Sequence, residues 1–317
     1  MQRYLLRRLL LMVPTLLGIS FVVFLMVRLV PGDVVTLISG DYGAADPEAK
    51  KAILKQYSLD QNIPKQYALW MSDILQGNLG RSIISNRTVI SELQHRLPVT
   101  FELGVLALIV SVSIAIPVGI ISAIRQDTLT DYAGRSFAIA LLAAPNFWIA
   151  IVLITLASRY FTWGVPPREY IHFTDNPIGN LKMLAMPAFI LGGALSGSVM
   201  RYTRSAMLEV LRQDYIRTAW AKGLRERVII VRHALRNALI PVVTVIGLQV
   251  PVVVGGTVII ESVYSIPGMG RYYVSAINQL DYPVIQAIVL VVALVVVFSN
   301  LVVDMTYAII DPRIRYS

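Results

Sequence analysis

Cysteine is absent from this sequence, which excludes disulfides, thiolate zinc sites and cysteine nucleophiles together. Histidine is nearly as scarce. The three present, His95, His172 and His233, lie far apart and in no metal-ligand spacing. Charge is thin as well: 15% of residues are Asp, Glu, Lys or Arg, against about 25% in ordinary soluble domains. No G-x-x-x-x-G-K-S/T phosphate loop, G-x-S-x-G elbow or H-E-x-x-H pair occurs. The chain is therefore expected to be no enzyme, to bind no metal or cofactor, and to draw energy from a partner or an ion gradient. What is abundant is apolar: 56% of the 317 residues are hydrophobic and the mean hydropathy is +0.65. The net charge of +9 gathers in short segments between apolar runs, as in a membrane protein sorting its loops rather than one binding nucleic acid.

Crossing a hydrocarbon core about 30 Å thick takes roughly 20 helical residues. Six stretches qualify: Leu9–Val27, Leu103–Ile124, Ser136–Ala157, Met183–Met200, Leu239–Ile260 and Val284–Val303, the last with an apolar continuation to Ile310. The expected fold is all-α, a polytopic membrane protein with six transmembrane helices. Arg3, Arg7 and Arg8 precede the first run, but its core is too long for a signal-peptide h-region. Val30-Pro31-Gly32-Asp33 is no small-x-small cleavage site, so the run reads as a retained anchor. Arg3, Arg7, Arg8, Arg125, Arg135, Arg201, Arg204, Arg212, Arg217, Lys222, Arg225, Arg227, Arg232, Arg236, Arg313 and Arg315 fall on one side of this topology. The short opposite loops hold only Arg159, Arg168, Lys182 and Arg271. By the positive-inside rule both termini are cytoplasmic.

The chain then divides into residues 1–100, an anchor helix plus an extracytoplasmic segment 31–97, and residues 101–317, a transmembrane core. Asp46–Tyr57 and Lys65–Gln76 read as helices within the outer segment. The core carries a basic cytoplasmic loop, 201–238, and a Gly- and Pro-bearing outer loop, 261–283.

Glu102, Glu261 and Asp304 lie near span ends and are expected to be hydrated interfacial residues. No acidic residue is evident near the midplane, where ion-coupled transporters place one. Asn146, Thr155, Ser196, Ser198, Thr244, Gln249, Thr257, Ser299 and Asn300 are polar residues within spans. Such residues either line a path or bond between helices. Prolines 117, 145, 187, 241 and 251 bend helices and free carbonyls, which requires protein or water nearby. Asn146, Thr244, Gln249 and Asn300 are the candidate pathway-lining residues, with bends expected at Pro145-Asn146 and at Pro251.

The most informative stretch runs from Tyr215 to Arg227. Read as a helix, it puts Ala219 and Gly223 on one face, a notch that lets another surface approach the backbone. Arg217, Arg225 and Arg227 flank it with charge. Docking into a groove of a soluble partner and resting on anionic lipid both fit this pattern.

Asp214-Tyr215-Ile216-Arg217-Thr218-Ala219-Trp220-Ala221-Lys222-Gly223, followed by Arg232-His233-Ala234-Leu235-Arg236-Asn237-Ala238-Leu239-Ile240-Pro241, closely resembles the inner-membrane permeases of ABC importers for dipeptides and oligopeptides. It is most similar to the first of their two permease subunits. The likeness extends through Val30-Pro31-Gly32-Asp33, Gly77-Asn78-Leu79-Gly80, Arg96-Leu97-Pro98-Val99-Thr100 and Pro267-Gly268-Met269-Gly270. Asp281-Tyr282-Pro283 and Asp311-Pro312-Arg313 complete it. The resemblance implies the type I ABC importer permease fold and a coupling helix at about 215–227 that seats in a groove of a cytoplasmic ATPase subunit. The residues it assigns to that contact are Tyr215, Arg217, Ala219, Lys222, Gly223 and Leu224. In the family's Glu-Ala-Ala-x-x-x-Gly loop motif the Glu position falls here on Arg217, and the later proline position on Arg236.

The resemblance further implies a second homologous permease, two ATPase subunits that carry ATP and Mg, and an extracytoplasmic solute-binding protein, besides membrane lipid. The matching outer loop has Ser265, Pro267, Gly268 and Gly270, expected to form a tight protruding turn that probes the binding protein. Peptides lead as substrate; oligosaccharides, nickel chelates, glutathione and opines are alternatives in the same importer class. From another class, an ion-coupled secondary transporter or a channel is the alternative. A scaffold without a transport role leaves the basic loop unexplained.

Overall fold

The computed structural model describes residues 2–29, 60–160 and 163–310. Among these, regular structure is helical apart from one isolated bridge between Arg81 and Thr88. Helix α1 spans Gln2–Leu29, α2 Ile63–Leu75 and α3 Val89–Ile124. Next come α4 (Leu129–Ala143), α5 (Asn146–Tyr160), α6 (Pro177–Leu211) and α7 (Asp214–Ala221). A π-helical segment, Ile229–Leu235, leads into α8 (Arg236–Val263), followed by α9 (Met269–Asn278) and α10 (Tyr282–Ile310).

Among the described residues, four helical stretches are long and apolar enough to cross a membrane: Val89–Ile124, Pro177–Leu211, Glu226–Val263 and Tyr282–Val303. The pair α4–α5 qualifies when taken together, and the 17-residue apolar stretch Leu10–Met26 stands at the lower limit of spanning length. Five of the six expected spans each lie within one helix. The third does not. Where Ser136–Ala157 reads as one run, the chain bends by 96° between α4 and α5. Pro145 has no N–H and disfavours a helical residue before it, so Ala144 is extended with ψ of 125°. The Pro145 carbonyl then accepts from the N–H groups of Trp148 and Ile149 and opens the next helix.

Helix α6 runs well beyond Met183–Met200 at both ends. Asn176 caps it, its side-chain oxygen accepting from the Gly179 N–H at 2.9 Å, and Pro177 occupies the first turn. Its modest hydropathy has a physical reason: it is buried in protein, where small residues serve better than lipid-facing ones. Lipid tails are as apolar as leucine, so close packing rather than hydrophobicity joins such helices. A Cβ on Gly197 would stand 2.7 Å from the Ala138 carbonyl oxygen, and one on Gly192 would overlap that of Ala107.

The chain packs as two compact units. The first centres on Pro98–Arg271 and has two apolar clusters. One gathers Leu103, Leu184, Leu191, Ile260, Tyr264 and Ile266; the other gathers Met207, Ile216, Ile229, Ala234 and Val242 beside the basic loop. The second unit holds the described residues of Leu6–Leu97 together with Tyr272–Val295. Within it, Phe24 packs edge-on to Tyr67 at 5.3 Å, and the Ser20 hydroxyl meets the Tyr67 hydroxyl at 2.8 Å. The expected helix at Lys65–Gln76 forms as α2, while the one at Asp46–Tyr57 lies outside the described residues. Asp281 accepts from the Ser82 hydroxyl at 2.5 Å and the Ile83 N–H at 3.1 Å. The Arg96 guanidinium lies over the Tyr272 ring at 4.4 Å. Burial, reinforced by the Asp281 and Glu92 carboxylates, raises the Tyr272 hydroxyl above its ordinary pKa.

Candidate functional site

Helix α7 occupies the basic loop. Ile216 and Ala219 are its buried residues, and both join the apolar cluster with Met207 and Ile229. Tyr215, Arg217, Thr218, Trp220 and Lys222 are exposed. The Asn237 side-chain amide donates to the Tyr215 hydroxyl at 2.8 Å, tying the helix to the start of α8. Asp214 in the first turn complements the helix dipole, and its 3.3 Å contact with Arg217 is solvated on both sides.

The helix ends sooner than its sequence predicts. Gly223 donates to the Trp220 carbonyl at 2.9 Å, Leu224 donates to the Ala219 carbonyl at 3.4 Å, and Gly223 has φ of +74°. This is a Schellman termination, which satisfies two of the last carbonyls and needs a left-handed residue. The expected notch is therefore not formed on one helix face. Ala219 points into the core, and Gly223 lies past the helix end, where a Cβ would meet nothing within 4 Å. Its glycine answers a backbone requirement, not a tight contact. Arg225 and Arg227, expected on the same helix, follow this turn.

The outer loop differs as well. Ser265 is exposed and left-handed with φ of +55°, but Gly268 and Gly270 are buried, so the turn is tight without protruding at its glycines. It wraps around a carboxylate. Glu261, fully buried, accepts from the Thr100 hydroxyl at 2.7 Å and the Arg271 N–H at 3.0 Å. Thr100 in turn accepts from the Met269 N–H at 2.8 Å. A Cβ on Gly268 would overlap the Glu261 carboxylate. Arg271 Nη1 closes the turn by donating to the Ser265 carbonyl at 2.7 Å. Glu261 is thus a buried organiser, not the hydrated interfacial residue expected. Glu102 also departs from that expectation, since the Tyr170 hydroxyl donates to it at 3.1 Å. Burial, then the nearby Glu102 charge, pushes the Tyr170 hydroxyl well above its ordinary pKa. Asp304 has no described side chain.

The candidate pathway residues are not brought together as one group. Gln249 donates to the Ser198 hydroxyl at 2.5 Å, joining α8 to α6, whereas Thr244 bonds the Ile240 carbonyl of its own helix at 3.4 Å. Asn146 opens α5 at the 96° bend, and Asn300 is exposed on α10. Two arrangements escape sequence reasoning. One is the Thr100–Glu261 pair, joining residues far apart in the chain. The other is a buried ion pair: Arg204 bonds Asp131 through Nε at 2.8 Å and Nη2 at 2.6 Å. The usable signal for Glu261 is a carboxylate at a span end followed by Pro267-Gly268-x-Gly270. The π-helical turn Ile229–Leu235 leaves no signal in composition.

Comparison with known proteins identifies two matched segments. Residues 1–104 match the N-terminal model of the "Binding-prot-dependent transport system membrane comp" type, and residues 115–316 match the "Binding-protein-dependent transport system inner membrane component" model. The "Oligopeptide transport system permease protein AppB" of Bacillus subtilis is 40% identical, with 100% of both chains covered. The "Dipeptide transport system permease protein DppB" of Escherichia coli is 37% identical over 100% of this chain and 99% of that one. The protein of the same name from Alkalihalophilus pseudofirmus is 39% identical over 100% of both.

Proposed function

We propose, from the premise that this chain belongs to the family of binding-protein-dependent transport system inner membrane components, that it forms half of a peptide translocation pathway driven by partner ATPases. The names of its relatives, which specify dipeptides and oligopeptides, support the choice of substrate. The full complex in this reading comprises a second homologous permease, two ATPase subunits holding ATP and Mg, and an extracytoplasmic binding protein. The chain sits in the inner membrane of a prokaryote with both termini cytoplasmic, a placement supported by its basic residues.

One observation carries the coupling role. Helix α7 is anchored by Ile216 and Ala219 yet presents Tyr215, Arg217, Trp220 and Lys222 outward, next to the Gly223–Leu224 turn. A short rigid helix fixed to the membrane core and exposed on its far side transmits motion between a partner and the spans. With Arg217 where the family motif has Glu, the docking rests on shape and the aromatic residues. At the other end, Ser265, Pro267, Gly268 and Gly270 form the turn we assign to the binding protein. Arg271 and the Glu261 carboxylate hold its shape. Asn146, Thr244, Gln249 and Asn300 remain our pathway candidates.

The absence of native cysteine makes the test clean. Trp220→Cys, paired with single cysteines around the groove of the ATPase subunit, is expected to cross-link in the assembled complex, with a yield that changes on adding ATP. No cross-link in any nucleotide state would overturn the coupling assignment.

A further inference from the structure

A cavity of about 300 Å³ lies between α4 and α6, lined by no residue of α7 or of the outer loop. Its walls divide by chemistry. Arg135, Arg201, Arg204, Ser122 and Ser205 supply the polar part, and Ala138, Ile139, Leu142 and Met200 the apolar part. The division follows the helix axes. On α4 the order is Arg135, then Ile139 and Leu142 one and two turns further into the span; on α6 Gly197 and Met200 precede Arg201 and Arg204. Both helices therefore put their basic residues at the same end, toward the basic loop, and their apolar wall deeper.

The charge there is largely uncommitted. Arg204 gives two of its five N–H donors to Asp131, which also accepts from the Ser122 hydroxyl and the Asp127 N–H. Arg135 and Arg201 are exposed and make no ion pair among the described residues; each lies only loosely against the neighbouring tyrosine, Tyr132 or Tyr202. Three arginines facing Asp131, with the Asp127 carboxylate near enough to act on Arg204, leave a net charge of +1 around a space open to an anion. Ile139 and Leu142 are exposed on the apolar half-span that α4 supplies, a surface for lipid or a neighbouring chain to cover.

We propose that this cavity binds the headgroup of an anionic phospholipid. Its phosphodiester lies between Arg135, Arg201 and the free edge of Arg204, and its acyl chains run along Ile139 and Leu142. A free inorganic anion would use only the arginines and leave the apolar wall without a role. A lipid uses both halves, in the order in which the helices present them. Basic pockets between spans on the cytoplasmic side are suited to such headgroups. The proposal does not depend on which solute the protein carries.

The test is native mass spectrometry of the full chain, purified in its complex, with equal amounts of phosphatidylglycerol and phosphatidylcholine. We expect phosphatidylglycerol to be retained at least about ten-fold over phosphatidylcholine, and 10 mM inorganic phosphate to leave it bound. The double variant Arg135→Gln/Arg201→Gln, altering exposed residues outside the buried ion pair, is expected to lose the preference while keeping its thermal transition. Leu142→Trp, which fills the apolar side without changing charge, is expected to lower retention of phosphatidylglycerol. Equal retention of both lipids, an unchanged preference in the double variant, or displacement by inorganic phosphate would each overturn the lipid site.

Discussion

At the scale of single residues, two positions have roles set by backbone and burial rather than by their side-chain class. Gly223 needs a left-handed conformation, which costs a residue with a Cβ about 1–2 kcal/mol, while nothing sterically opposes the side chain itself. Gly223→Asn is therefore expected to retain most ATPase stimulation by the loaded binding protein, and Gly223→Val to lose most of it. If both variants behave alike, strain at this turn is not the reason for glycine. Glu261→Gln keeps the size of the side chain but turns an amide donor toward the Thr100 hydroxyl or the Arg271 N–H. A buried O–H or N–H left without its acceptor costs about 1–3 kcal/mol. A lower Tm of the purified complex and weaker binding-protein-stimulated uptake are the expected outcomes. The sequence reveals Gly223 as important but misassigns its reason. Glu261 it reads as hydrated, because nothing local tells that Thr100 waits across the fold.

Among elements, the contrast between two ion pairs is instructive. Asp131–Arg204 is buried on the carboxylate side, whereas Arg217–Asp214 is exposed on both sides. Breaking a buried pair costs about 3–5 kcal/mol because one charge is stranded. Removing a solvated one costs about 1 kcal/mol or less. Asp131→Ala is thus expected to impair folding and membrane yield severely, and Asp214→Ala to leave Tm nearly unchanged. A thermal melt of each variant decides, and comparable losses would contradict the packing described for α4 and α6. Most of these elements were legible from apolar length alone. The break at Ala144-Pro145 was legible only in part: Pro145 announces a bend, but not one of 96°. The extent of α6 was not legible, since its small residues look like a weak span until Gly192 and Gly197 are seen against neighbouring carbonyls.

For the whole molecule, the exposed apolar residues of α3, α8 and α10, among them Phe101, Ile109, Val252, Ile259 and Phe298, belong to a surface that lipid or another chain covers. The family to which the chain belongs, binding-protein-dependent transport system inner membrane components, makes it one component of a larger system. The central claim is that this chain moves solute only when partner ATPases drive it. Its most direct test is peptide uptake into proteoliposomes holding this chain, its partner permease and the ATPase subunits, with binding protein outside and ATP within. We predict uptake that requires ATP, the ATPase subunits and the binding protein, and that persists when ion gradients are collapsed. Uptake by this chain alone, driven by a proton or sodium gradient without the ATPases, would contradict the account.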